Sequence, residues 1–244
     1  MQVASVKKLE KYWFEQLGAS SKNFNRDRVV ITKHGSTLMG YSGALIFKHE
    51  GVCILSVPEL MLEQTERRAQ NLSSENLFSE SCLTEFFGAA VDKIIGPAWI
   101  GKITLDKFNP SHTNATRLLT PNDWVKFGEF LSRNDSIEVE HSALRVGHQP
   151  TVGVFSNGEV VAAASYEILG DSLAHIGVLS SKTARGKGFA KQAISLVTQI
   201  ALDADQGIQY QTLKENVASI AAARSLGFED FAETFAVRLK AIQI

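Results

Sequence analysis

The stretch best suited to hold a ligand is Leu179-Ser-Ser-Lys-Thr-Ala-Arg-Gly-Lys-Gly-Phe-Ala190, which lies between a strand-like run and a helical one. Gly186 and Gly188 let the backbone turn tightly and approach a bound molecule. Arg185 and Lys187 add positive charge, and the helix that follows offers unpaired N–H groups and the positive end of its dipole. Together these features make a cradle for a pyrophosphate. Two phosphate loops are excluded by spacing. A Walker A loop needs glycine at 181 and serine or threonine at 188, where the chain has Ser181 and Gly188; a dinucleotide fingerprint starting at Gly186 needs glycine or alanine at 191, where it has Lys191. Upstream stands His175, and a histidine can titrate near neutrality. Glu138 and His141 are three residues apart and share a face if their segment is helical, with Glu140 pointing elsewhere. These three could recognise a cationic amine or form an ordinary solvated face.

The elements that must position these residues follow from apolar periodicity. Glu159–Ile168 pairs with Thr151–Phe155 across Ser156-Asn157-Gly158, and Asn-Gly is a strong hairpin signal. Leu173–Leu179 reads as a buried strand carrying His175. Phe189, Ala193, Leu196, Val197 and Ile200 mark one face of a long helix ending near Gly207. Gln209–Leu213 is the next strand, Asn216 caps a helix that stops at Gly227, and Phe231–Leu239 closes the chain as a strand. Before them come a strand at Thr116–Leu119, a helix at Pro121–Leu131 capped by Thr120, and a short helix at Ile137–Arg145. The polar stretch Asn109–Asn114 separates this half from residues 1–108. That N-terminal half shows a helix with Val3, Val6, Leu9, Trp13 and Leu17 on one face, a strand at Val29–Thr32, a hairpin of Ala44–Phe47 and Val52–Val57, helices from Pro58 to Gln70 and over Leu83–Val91, and a strand around Trp99–Ile103.

Arg185-Gly-Lys-Gly188-Phe-Ala190 resembles the acyl-CoA loop [Q/R]xxGx[G/A] of the GNAT superfamily of N-acetyltransferases. The order of elements around it is similar too: a strand before, a helix after, then a strand. Asn216-xx-Ser219 followed by Leu226-Gly-Phe228 resembles the family's second motif, N-xx-A-…-LGF, with serine replacing the alanine. The resemblance covers residues from about Ala115 to Lys240. It implies an α/β (α+β) fold in which a GNAT-type mixed central sheet is flanked by helices, over residues 114–244, preceded by a smaller α+β domain over 1–108 that is conceivably a degenerate GNAT-like half. It also implies transfer of an acetyl group from acetyl-CoA to an amine, directly and without a metal. Backbone groups near Val178, Leu179 and Ser180 would meet pantetheine and the thioester carbonyl. The N–H groups of Arg185, Gly186, Lys187, Gly188, Phe189 and Ala190 would hold the pyrophosphate, and the Asn216 side chain the pantetheine arm. The family's splay between these two strands would open near Gly177, as a bulge or as a simple packing glycine.

An alkyl ammonium must lose a proton before it attacks, because its pKa is about 10.4. His175 is the candidate base, with a satisfied core histidine as the alternative. Many members place a tyrosine four residues before the LGF glycine, where it protonates the departing thiolate. This chain has Ala223 there, which leaves water or Ser219 as the donor, or a domain that binds CoA without turnover. Glu138, Glu140 and His141 fall in the region that borders the acceptor.

The 244 residues are 44% hydrophobic, and 25 Lys+Arg against 26 Asp+Glu give a net charge of −1, so no basic surface points to nucleic acid or an anionic membrane. Apolar runs such as Val160–Ala164 are far short of the roughly 20 residues that span a bilayer. Cys53 and Cys82 form no CxxC, which argues against a disulfide framework or zinc ribbon. Met1–Glu10 lacks an apolar signal core, so a cytoplasmic protein is expected. Its partners would be a small-molecule or peptide amine, with no nucleic acid and no membrane, and it could pair as a homodimer. Residues 1–108 contain no second acyl-CoA loop; the expectation is that they help choose the acceptor, with Gly35–Gly43 as the candidate loop, the alternative being that they only cover an apolar face of the sheet or mediate dimerisation.

Overall fold

The structure, a computed structural model, describes residues 2–20 and 29–240. Its helices are α1 (Gln2–Leu17), α2 (Leu62–Ala69), α3 (Ser74–Leu77), α4 (Glu80–Phe87), α5 (Trp124–Ser132), α6 (Ser136–Ser142), α7 (Phe189–Asp203) and α8 (Val217–Arg224). Its strands are β1 (Val29–Lys33), β2 (Ala44–His49), β3 (Val52–Val57), β4 (Val91–Lys102), β5 (Thr116–Leu118), β6 (Thr151–Ser156), β7 (Glu159–Leu169), β8 (Leu173–Ser180), β9 (Gly207–Leu213) and β10 (Glu229–Leu239). The fold is mixed α/β and divides into two compact units.

One unit comprises Gly101–Gln211 and Asn216–Glu229 with the start of α1 up to Leu9. Its strands lie in the order β9-β8-β7-β6-β5. β8 runs parallel to β9, whereas β7 is antiparallel to β8, β6 to β7 and β5 to β6, so the sheet is mixed. The β6–β7 hairpin turns through Asn157 and Gly158, both at positive φ (51° and 79°) as a primed turn requires. Phe127 and Phe130 of α5 and Leu144 after α6 pack on Val160, Ala163 and Leu179, while α7 covers β6, β7 and β8 and buries Ala193, Ile194, Val197 and Ala201. The polar stretch after Asn109 is pinned to α7: Ser195 Oγ lies 2.7 Å from the Ser111 amide and 3.1 Å from His112 Nδ1.

The other unit comprises Glu10–Ile100, Thr212–Glu215 and the segment from Asp230 onward, so the last strand of the chain belongs with the N-terminal strands. Its order is β1-β3-β2-β10-β4. Ile46, Leu55, Val57, Phe235 and Val237 form a core with Leu77, Leu83 and Phe87 of the short helices, and Trp13 of α1 stacks on Phe47 at 5.0 Å. The expected face of α1 is buried at Leu9, Trp13 and Leu17, while the side chain of Val3 lies outside the described residues. Two expectations differ. The helix read over Leu83–Val91 ends at Phe87, because Gly88 turns the chain with φ +55°, and Val91 already opens β4. β4 is therefore far longer than the strand read around Trp99. The four-residue α3 gave no periodic signal; the Ser73 side chain caps it by accepting from the Asn76 amide. The Gly35–Gly43 loop holds only a short 3-10 turn at Ser36–Leu38.

The entry to α5 is fixed by charge. Asp123 accepts from Arg117 at 2.6 and 2.7 Å and from the Thr120 amide and hydroxyl at 2.8 and 2.9 Å, and Arg117 lies 4.3 Å over the Phe155 ring. The Arg117 hydrogen bonds hold the Asp123 carboxyl well below the usual carboxylate range. A depressed carboxylate pKa contributes stability above its ordinary value of about 3.9, and that contribution is lost as pH falls through the folded-state value. Asp123→Asn should therefore lower stability by about 1–2 kcal/mol at neutral pH, the scale of a lost cap, and flatten the acid limb of a denaturation series below about pH 4.

Candidate functional site

The loop read as a pyrophosphate cradle links β8 to α7 and is exposed from Arg185 to Gly188. Gly186 (φ +75°) and Gly188 (φ +78°) adopt left-handed backbone, and a Cβ built on either meets nothing within 4 Å. Glycine is needed here for conformation, and the space above the turn is open. Gly188 precedes α7, whose first turn has no side-chain cap and no acidic residue, so its amides and dipole meet no competing carboxylate there. Phe189 and Ala190 begin the helix, half-buried.

Beside this loop the sheet opens. β8 pairs with β7 along its whole length, from Leu169↔Leu173 to Ala162↔Ser180. Its parallel register with β9 runs only from Leu173↔Gly207 to Ile176↔Tyr210. From Gly177 through Val178, Leu179 and Ser180 the second edge of β8 has no register with β9, which is where an extended arm could pair with strand backbone. Gly177 keeps its place in the β7 ladder opposite Ser165, so the opening needs no bulge at that position; the bulge of this sheet lies at Val154/Phe155. The glycine is there because the Ser142 carbonyl at the end of α6 sits over it, 2.0 Å from where a Cβ would stand. That is a close backbone approach.

Glu138, Glu140 and His141, expected to border an acceptor, separate. Glu138 of α6 is tied to the loop, with Arg185 Nη2 donating to both carboxylate oxygens at 2.8 Å. Its charge is thus already matched, whereas Glu140 and His141 are exposed. His175 lies within the closed part of the β8–β9 pair, and its Nδ1 accepts from Gln209 Nε2 at 2.9 Å. Gln209 is itself 1% exposed. Burial lowers the His175 pKa, with the Glu167 charge opposing. With Nδ1 occupied, the neutral ring carries its hydrogen on Nε2. A base acting through Nδ1 would first have to give up the Gln209 bond.

Asn216 caps α8, its side-chain oxygen accepting from the Ser219 amide at 3.2 Å. That leaves its amide hydrogens for another acceptor. Ser219 Oγ lies 2.7 Å from the Tyr210 hydroxyl. Ala223, where many family members have tyrosine, is fully buried, so a hydroxyl there would not face an open site without repacking. Tyr210 and Gln209 carry no signal of their own in the sequence because they stand in an ordinary strand pattern. Among the described residues no group of three or more His, Cys, Asp or Glu side chains is arranged to hold a metal ion, and no helix is long and apolar enough to cross a membrane.

Residues 117–228 match the model of the acetyltransferase (GNAT) family. No curated protein sequence matches the chain. Among solved structures, the chain is similar to an acetyltransferase of the GNAT family from Colwellia psychrerythraea, with 15% identity, 75% of each chain covered and a TM-score of 0.53, a likeness of fold. A GNAT-family structure from Novosphingobium aromaticivorans aligns at 18% identity over 60% of this chain and 65% of that one, with a TM-score of 0.48.

Two outcomes follow from this geometry. Gly177→Ala should destabilise the fold by about 1–3 kcal/mol in denaturant titrations, the usual scale of overpacking, because neither the strand nor the Ser142 carbonyl can yield cheaply. The His175 imidazole should titrate below 6.5 by NMR. Because burial favours its neutral form, its contribution to stability is present above about pH 6.5 and is lost as pH falls towards the folded-state value.

Proposed function

We propose that this chain, whose residues 117–228 match the model of the GNAT acetyltransferase family, transfers an acetyl group from acetyl-CoA to a primary amine by direct attack in a ternary complex. The observation that carries the reading is a juxtaposition in one unit. An open, glycine-shaped turn leads into the uncapped N-terminus of α7, and beside it lies the β8 edge that β9 leaves from Gly177 onward. A pyrophosphate fits the turn because backbone amides, the helix dipole, Arg185 and Lys187 all favour an anion. An extended amide-bearing arm fits the strand edge because it can form the hydrogen bonds that a neighbouring strand would make. The residues present therefore suit the donor: Arg185–Ala190 for its phosphates, Val178–Ser180 for its arm and carbonyl, and the Asn216 amide as a further contact. Bound acetyl-CoA supplies an activated acetyl group whose thiolate is a tolerable leaving group.

The amine must be neutral to attack, and its ammonium pKa of about 10.4 demands a proton acceptor. Since His175 Nδ1 is engaged by Gln209, we assign that proton to solvent water, with His175 holding β9 against β8. Glu140 and His141, exposed near the end of α6, are the groups left to meet a cationic acceptor once Glu138 is paired with Arg185. The reading places the protein in the cytoplasm, where acetyl-CoA is available, with a small amine or peptide as its partner. Buried Ala223 favours a second reading, a module that binds CoA without turnover.

Gly188→Val should weaken acetyl-CoA binding about tenfold or more by calorimetry, because a β-branched residue at that φ is strained by roughly 1–3 kcal/mol and its side chain would fill the open space above the turn. Unchanged affinity in a folded variant would remove the loop from the site. Thiol release from acetyl-CoA with spermidine, tyramine, lysine and a peptide bearing a free N-terminal alanine separates the two readings: a binding module releases none.

A further inference from the structure

The departing sulfur leaves faster beside a group that stabilises its charge, and the family's usual tyrosine position is closed in this chain. A different tyrosine approaches the same region. Tyr210 is the last β9 residue in register with β8, opposite Ile176, and so stands at the closed end of the opening between the strands. Its ring packs near Phe228 at 5.8 Å, and its hydroxyl meets Ser219 Oγ on the first turn of α8 at 2.7 Å. Ser219 is in turn fixed by its own amide, which donates to the Asn216 side chain.

We propose that Tyr210 is a positioning residue: its hydroxyl donates to Ser219 Oγ and so leaves the seryl hydrogen to be aimed at the coenzyme sulfur, where the pair stabilises the leaving thiolate by hydrogen bonding. This rests on the acetyl-CoA reading above. An arm that enters from the loop at the C-terminal end of β8 runs back along the opening, and its reactive end comes to rest where the two strands rejoin. We assign the direction of the pair from acidity, because a phenol is a better donor than the half-buried seryl hydroxyl it meets.

Full proton transfer is disfavoured by magnitude. Burial pushes the Tyr210 hydroxyl up to about 12. A thiol of ordinary acidity ionises at about 8.5, so a thiolate cannot draw the proton from the phenol through Ser219 without climbing about three and a half pH units. The step therefore balances without a protein acid. The amine nitrogen bonds to the acetyl carbon, the C–S bond breaks with its electron pair passing to sulfur, and the surplus proton of the nitrogen leaves to water. Tyr210 and Ser219 keep their protons and supply a preorganised donor, as backbone amides do for an oxyanion.

A hydrogen bond donated to an anion lowers the pKa of its parent acid, and this provides a readout that does not depend on turnover. The thiol of bound CoA is titrated through its ultraviolet thiolate absorbance, as the difference between complex and free protein, in the unaltered chain and in Ser219→Ala, Tyr210→Phe and the double variant. We expect ionisation about one unit lower in the unaltered chain than in either variant, the equivalent of one charge-assisted hydrogen bond. The double variant should match Ser219→Ala, because Tyr210 acts through Ser219, and Ser219→Thr should restore the shift. With turnover, kcat should fall about tenfold or more in both single variants while KM for acetyl-CoA stays put. Identical thiol titrations in all variants overturn the proposal. Failure of the unaltered chain to bind CoA overturns the acetyl-CoA reading and this proposal with it. Binding and a shifted thiol without thiol release leave this proposal standing and overturn only the transfer reading.

Discussion

Two parallel strands that share a register for four residues and then part company set the terms for everything around them. β8 remains bonded to β7 along one edge, so it cannot follow β9 or drift away from it, and its other edge is left with donors and acceptors that ask for a partner. In folded proteins such an edge is normally covered, charged or kept short. Here it is four residues long and ends in the loop that begins α7. The N-terminus of that helix and the open edge thus share one strand end, which is why a single extended molecule with an anionic group can satisfy both.

The opening is held by packing as much as by pairing. α6 is only seven residues long, yet the carbonyl of its last residue rests on Gly177, so the backbone of β8 is fixed where the strands separate. Asp135 caps the same helix by accepting from the Ile137 and Glu138 amides, which leaves little freedom in a short element. On the β9 side the Tyr210 ring is buried, and the neighbouring Gln209 reaches back to His175. One wall of the opening is therefore set by a backbone carbonyl and the other by buried side chains, all within one unit.

How much of this was legible in the sequence depended on the kind of signal. The loop was visible because glycine at two φ-positive positions is a local requirement, written in the residues themselves. The β6–β7 hairpin was visible for the same reason, through Asn157-Gly158. Asn216 as a cap and the stop after α8 also followed from local chemistry. What sequence could not reach were contacts across elements: Arg185 with Glu138, 47 positions apart, and Gln209 with His175, 34 apart. Gly177 was read as a bulge or a packing residue, and only the carbonyl above it decides for packing. The length of β4 was missed because Gly96 and Pro97 interrupt its pattern, residues that ordinarily argue against a continuous strand. Assignment of the last strand to the unit containing the first ones is a matter of topology, to which periodicity is blind.

The ion pair between Arg185 and Glu138 has a further consequence. Both side chains are well exposed, at 46% and 36%, so water and salt already screen them and the bond contributes at most about 1 kcal/mol. It steadies the guanidinium without consuming it. An incoming dianion competes with a single carboxylate for that cation, and the cost of losing the carboxylate's share is small. Under the proposed reading the tether is a parking position, from which the cation would be released to an anion at little expense in affinity, and its hold loosens further as ionic strength rises.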